Sequence, residues 1–191
     1  MLNNLIKNIF VLFLINVSIW CCDFEYLEIN GDCYYRKDIK FLQALIENSQ
    51  YGRNPPPDDL KPLNLGWQLW ENGRLVEFCC STSTNTECRM NYELSGNLPP
   101  EIGNLTELKI ISLESNNIIG SLPPEIGNLI NLNELYLDGN QFEGEIPPSI
   151  WGLTNLTKLT LGGSDISGTI PIEIGELTNL TNLVVNLYVL L

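Results

Sequence analysis

The sequence predicts an α/β fold: a solenoid of short parallel strands fills the second half of the chain and is entered through a cysteine-bearing unit with one helix. Three observations carry this. A block of the form x-[LI]-P-x-x-I-x-x-L recurs at a 24-residue offset, at 97–105, 121–129, 145–153 and 169–177. Between the blocks runs L-x-x-L-x-x-L-x-L-x-x-N, whose final L-x-L step alternates side chains across a strand. Ahead of them, Ile39, Leu42, Leu45 and Ile46 lie on one face of a helix over Lys37 to Asn48. The skew of composition agrees with a repeated packing unit, since 32 Leu and 20 Ile stand against the single Ala44.

Taken in order, residues 1–22 read as a secretory signal. Lys7 precedes an apolar run from Ile9 to Ile15, about a dozen residues with its continuation, short of the roughly 20 needed to span a bilayer as a helix. Bulky Trp20 and the pair Cys21–Cys22 occupy the place where cleavage prefers small residues, so an uncleaved membrane anchor is the competing reading. Secretion makes Cys33, Cys79, Cys80 and Cys88 a disulfide set, with three pairings open, and no Cys-x-x-Cys pair suggests zinc. Residues 23–93 form the cap. Within it, Pro55, Pro56, Pro57, Asp58 and Asp59 make a stiff polar loop.

Residues 94–191 are the solenoid, about four coils with the last incomplete. The core set is Leu105, Leu108, Ile111 and Leu113, repeated as Leu129, Leu132, Leu135 and Leu137, then Leu153, Leu156, Leu159 and Leu161. Asn116 and Asn140 sit at the turn after the strand, where an amide satisfies backbone groups of its own and the next coil. Ser164 takes that place in the third coil, and Tyr188 in the fourth. Gly120, Gly144 and Gly168 allow the bend, and the prolines that follow hold an extended outer segment.

The full pattern L-x-x-L-x-x-L-x-L-x-x-N-x-[LIF]-x-G-x-[LI]-P-x-x-I-G resembles the plant-type extracellular leucine-rich repeat of receptor-like kinases, receptor-like proteins and polygalacturonase-inhibiting proteins. The segment before it is similar to that family's N-terminal cap, with Cys33, the helix, Trp67, Trp70, Cys79–Cys80 and Cys88. The resemblance implies a right-handed leucine-rich-repeat solenoid with its strands on a concave face, disulfides Cys33–Cys79 and Cys80–Cys88, and recognition of peptides or proteins without chemistry; the sequence departs from the family in having no C-terminal cap.

Composition points the same way. The chain has no histidine, which closes imidazole catalysis and His-ligated metal sites, and a formal net charge of −13 argues against nucleic acid. No cofactor, metal or catalytic residue is expected. The carboxylate pairs Glu134/Asp138 and Glu143/Glu145 stand without any other sign of a glycosidase cleft. Outward strand positions are Ile110, Ser112, Glu114; Glu134, Tyr136, Asp138; Lys158, Thr160, Gly162; Asn182, Val184, Asn186. Of these, Ser112, Glu114, Glu134, Tyr136, Asp138, Lys158 and Thr160 are the candidate ligand contacts, and the acids around Tyr136 suit a basic partner. An open end at Val185, Leu187, Val189, Leu190 and Leu191 suggests self-association. Sequons at Asn104, Asn155 and Asn179 lie on the outer arc as glycosylation acceptors. The expected function is a secreted or surface-tethered recognition module; the competing reading is a truncated piece of a larger receptor.

Overall fold

A computed structural model of the chain describes residues 23–81 and 92–186. The proposed signal segment, Cys88, and the terminal Leu187 to Leu191 lie outside these residues. The cap opens with an antiparallel hairpin, β1 (Tyr26–Ile29) and β2 (Asp32–Tyr35), closed by Asn30 and Gly31. Both turn residues have positive φ, 55° and 93°, the geometry that a tight two-residue hairpin needs and that Asn-Gly supplies.

Helix α1 follows directly over Arg36–Asn48. Its buried face is Asp38, Phe41, Leu42, Leu45 and Ile46, so the stripe is rotated from the one expected: Ile39 is only half-buried and an aspartate faces inward. A second hairpin, β3 (Trp67–Glu71) and β4 (Arg74–Cys79), turns through Asn72 and Gly73. Here φ is 51° and 74°, and a Cβ on Gly73 would lie 2.2 Å from the Cys33 carbonyl oxygen, so the turn tolerates no side chain at that position.

The coils then build two sheets. Strands β6 (Ile110–Ser112), β8 (Glu134–Tyr136), β10 (Lys158–Leu161) and β12 (Asn182–Val185) pair in parallel, and β4 adds in parallel to β6. The order β3-β4-β6-β8-β10-β12 makes one six-stranded concave sheet in which the cap supplies the first two strands. A second, flanking parallel sheet consists of β5 (Ser95–Asn97), β7 (Asn117–Gly120), β9 (Gln141–Glu145) and β11 (Asp165–Ser167). The outer arc closes through 3-10 helices at Pro100–Asn104, Pro124–Asn128, Pro148–Gly152 and Ile172–Glu176. The segment expected to be merely extended is thus a strand followed by a 3-10 turn. Its prolines fit because helix starts leave their N–H groups unpaired in any case.

The repeated leucines and isoleucines of the first three coils are enclosed, and their core is continuous with Phe41, Leu45, Leu75 and Phe78 of the cap. The last coil is looser. Leu183 and Val185 are half-buried where their equivalents Leu159 and Leu161 are sealed, and Ile172 is 90% exposed.

The turn asparagines bond backward rather than forward. Asn140 accepts from the Ile118 N–H at 3.1 Å and donates to Leu113 O at 2.8 Å and Leu137 O at 2.9 Å, reaching the preceding coil. Asn116 does the same with Leu94 N–H, Cys80 O and Leu113 O. Ser164 is too short to repeat the pattern and makes one bond, to Asn140 O at 3.4 Å.

Of the disulfide pairings expected from the family resemblance, Cys80–Cys88 does not form, and the fold sets Cys33 apart from Cys79. Cys33 and Cys79 are each disulfide-bonded. Cys33 lies against Gly73 at one end of β4 and Cys79 ends that strand, so about 16 Å of extended chain separates the two positions. A disulfide requires Cα atoms within about 7 Å. Cys80 is a free thiol sealed inside the core, so it is not bonded to Cys88, and burial pushes the thiol up to about 12.

Candidate functional site

The register of the concave sheet places outward side chains in rows across six strands. One row reads Leu69, Glu77, Ile110, Glu134, Lys158, Asn182; the next reads Trp67, Cys79, Ser112, Tyr136, Thr160, Val184. Neighbours along a row have Cβ atoms about 5 Å apart.

Of the expected acidic ridge around Tyr136, Glu134 is neutralised from within. Lys158 Nζ lies 3.1 Å from Glu134 Oε1 and donates to the Tyr136 hydroxyl at 3.0 Å, while that hydroxyl donates to Glu134 Oε2 at 2.6 Å. Burial first, then the hydrogen bond to Glu134, raises Tyr136 above its ordinary range; the hydrogen bonds to Tyr136 and Glu134 raise Lys158. Asp138 is also engaged, its Oδ1 accepting from Gly162 N–H at 2.8 Å. Glu114 accepts from Ser112 Oγ at 3.3 Å.

Two candidates are less open than their outward position implies. Ser112 is 8% exposed and Thr160 5%. Thr160 Oγ1 is buried with no hydrogen-bond partner among the described residues.

The face is open at both ends, at Asn182 and Val184 on β12 and at the cap end, which sequence reasoning passed over. Trp67 and Leu69 are 40% and 37% exposed on β3, beside partly exposed Glu77 and Ile110. A signal for this was present. The alternating run Trp67-Gln68-Leu69, then Asn72-Gly73, then a second apolar run is a hairpin signature. It becomes part of the concave face only because β4 pairs with β6, a nonlocal contact.

The sequons are divided by structure. Asn155 and Asn179 are exposed, and each Nδ2 donates to the preceding coil, to Ile130 O and Thr154 O, both at 2.8 Å. Asn104 is half-buried. Among the described residues no group of acids and cysteines is arranged to hold a metal ion, and no helix is long and apolar enough to cross a membrane.

A curved parallel sheet, an inner asparagine ladder and an outer arc of short turns at a fixed period together define a leucine-rich-repeat solenoid. Residues 86–188 match the leucine-rich repeat region family, and the chain belongs to it. No curated protein matches at the sequence level. Among solved structures, the chain is similar to the ectodomain of the plant membrane receptor kinase GASSHO1/SCHENGEN3 from Arabidopsis thaliana in complex with CASPARIAN STRIP INTEGRITY FACTOR 2. That match has 26% identity and a TM-score of 0.61, over 78% of this chain and 18% of that one. It is also similar to the plant peptide hormone receptor RGFR1 in complex with RGF2, with 34% identity and a TM-score of 0.50 over 53% of this chain and 16% of that one. The chain therefore spans less than a fifth of either receptor chain. The ectodomain of the receptor kinase SOBIR1 from Arabidopsis thaliana shares the fold, at 23% identity and a TM-score of 0.59, over 82% of both chains.

Proposed function

We propose that the chain is a non-catalytic recognition module that binds a peptide or protein segment on its concave sheet outside the cell. The observation that carries this reading is the continuity of the sheet from β3 to β12, which joins exposed apolar side chains of the cap to the polar cluster at Tyr136. Six strands at about 4.8 Å spacing offer roughly 400 to 500 Å², half again what four coils provide. A standard complex buries about 800 Å² per partner. The flanks of the sheet make up the remainder, or the partner is held weakly. The structures with bound factors support a polypeptide as the ligand class, and the disulfide state of Cys33 and Cys79 suits an oxidising compartment.

Selection of binders from a random dodecapeptide library against the full secreted chain tests the reading. Peptides whose binding falls at least fivefold on Tyr136→Ala or Trp67→Ala support it. Binders indifferent to every concave substitution overturn it.

A further inference from the structure

We infer that the cap end of the concave face holds a subsite for one basic side chain of the partner, with Glu77 as its counter-ion. The inference rests on the concave-face reading above and adds where a cation is taken and why only there. Glu77 stands in its row between Leu69 and Ile110, and Trp67 is its diagonal neighbour on β3. It has no ion pair or hydrogen bond among the described residues. Of the cations near Glu77, Arg74 on the same strand is held by Asp38, with Nε 2.9 Å from Oδ2, and Lys109 is drawn to Glu71, with Nζ 3.2 Å from Oε2. Every other sheet-face acid considered above already has a donor: Glu134 has Lys158 and Tyr136, Asp138 has Gly162 N–H, and Glu114 has Ser112.

An uncompensated carboxylate bracketed by apolar side chains fits a Lys or Arg side chain on three counts. The charged head meets Glu77 where the apolar flanks reduce screening by water. The aliphatic stem covers Leu69 and Ile110, which burial of a bare ammonium would not do. Trp67, about 7 to 8 Å away by Cβ, is within side-chain reach of a guanidinium for stacking. An acidic or purely apolar ligand would leave Glu77 repelled or desolvated without a partner. The partner chemistry is thus a polypeptide segment with a Lys or Arg next to an aliphatic or aromatic residue.

The test uses the dodecapeptides selected on the full chain. Binders should be enriched in Lys or Arg beside an apolar residue, and replacing that Arg by citrulline should weaken binding by about tenfold, the worth of a charge-assisted hydrogen bond. Glu77→Gln should cause a similar loss and make the citrulline exchange neutral, while Glu134→Gln should leave the Arg preference intact. The subsite is overturned if binding falls on Tyr136→Ala but changes less than twofold on Glu77→Gln. Binders unaffected by any concave substitution overturn the concave-face reading itself, which is a separate outcome.

Discussion

Asp38, fully enclosed on the inner face of α1, holds Arg74 at the start of β4: Arg74 Nε donates to Oδ2 at 2.9 Å and Nη2 to Oδ1 at 3.3 Å. The aspartate also accepts from Leu75 N–H at 2.9 Å, and Arg74 reaches on to Asn104 O and Thr106 Oγ1, both at 3.2 Å, and stacks over the Tyr35 ring. One ion pair thereby ties hairpin, helix, concave sheet and first coil together. Asp38→Ala leaves a guanidinium and a buried N–H without their acceptor and is expected to cost about 3 kcal/mol in urea unfolding.

The same pair sets a pH dependence. Burial raises Asp38 above its ordinary 3.8, against the pull of Arg74 and Leu75 N–H. The folded state therefore holds this proton more tightly than the unfolded one. The penalty for the charged form is complete above the folded pKa and fades as pH falls toward 3.8. Subtracting the melting curve of Asp38→Ala from that of the wild type should show the stability difference growing on acidification from neutral pH. A difference that shrinks toward acid would mean that the ion pair outweighs desolvation.

Cysteine chemistry should separate the thiol from the disulfides. Cys80 has no exposed surface and its thiol is pushed up to about 12, so alkylation of the native chain at neutral pH should be negligible and become rapid only in denaturant. Peptide mapping without reduction should recover Cys80 alkylated and Cys33 and Cys79 in separate bonds. Recovery of a Cys33–Cys79 crosslink would refute the register of β4.

Local rules were enough to read the coil. The leucine spacing, the L-x-L strand and the turn asparagine each follow from periodicity within 24 residues, and all of the repeated core positions of the first three coils are enclosed. What escaped was nonlocal. That Asp38 faces inward depends on Arg74, 36 residues away, and that Trp67 belongs to the concave face depends on β4 lying beside β6. The neutralisation of Glu134 by Lys158 joins positions 24 residues apart, a spacing that the repeat itself makes adjacent, so it was readable from the alignment of the coils but not from the acids taken alone.

Tyr136 reports on that cluster. Burial raises the pKa of Tyr136, Glu134 raises it further, and Lys158 lowers it. In ultraviolet difference titration against Tyr136→Phe, Glu134→Gln should move the Tyr136 transition to lower pH and Lys158→Met to higher pH. Shifts in the same direction for both variants would show that the triad does not persist in solution.

Thr160 offers a stability test on the same face. Its hydroxyl is buried without a partner among the described residues, so Thr160→Val removes an unsatisfied polar group at nearly constant volume and should be neutral or stabilising by about 1 kcal/mol. A loss of stability above that size would reveal a hydrogen bond formed in solution.

The asparagine ladder can be both broken and extended. Asn140→Ala removes three bonds to enclosed backbone groups of two coils, Ile118 N–H, Leu113 O and Leu137 O, and is expected to cost about 2 to 4 kcal/mol. Ser164 occupies the equivalent buried place one coil on, with a single 3.4 Å bond. An asparagine there has Leu161 O and Leu137 O as acceptors by the period of the repeat. Ser164→Asn should therefore stabilise the chain by about 1 kcal/mol, seen as a higher urea midpoint at unchanged slope. If the third turn lacks room for the amide, the variant is destabilised instead, and the serine marks a tighter closure of that coil.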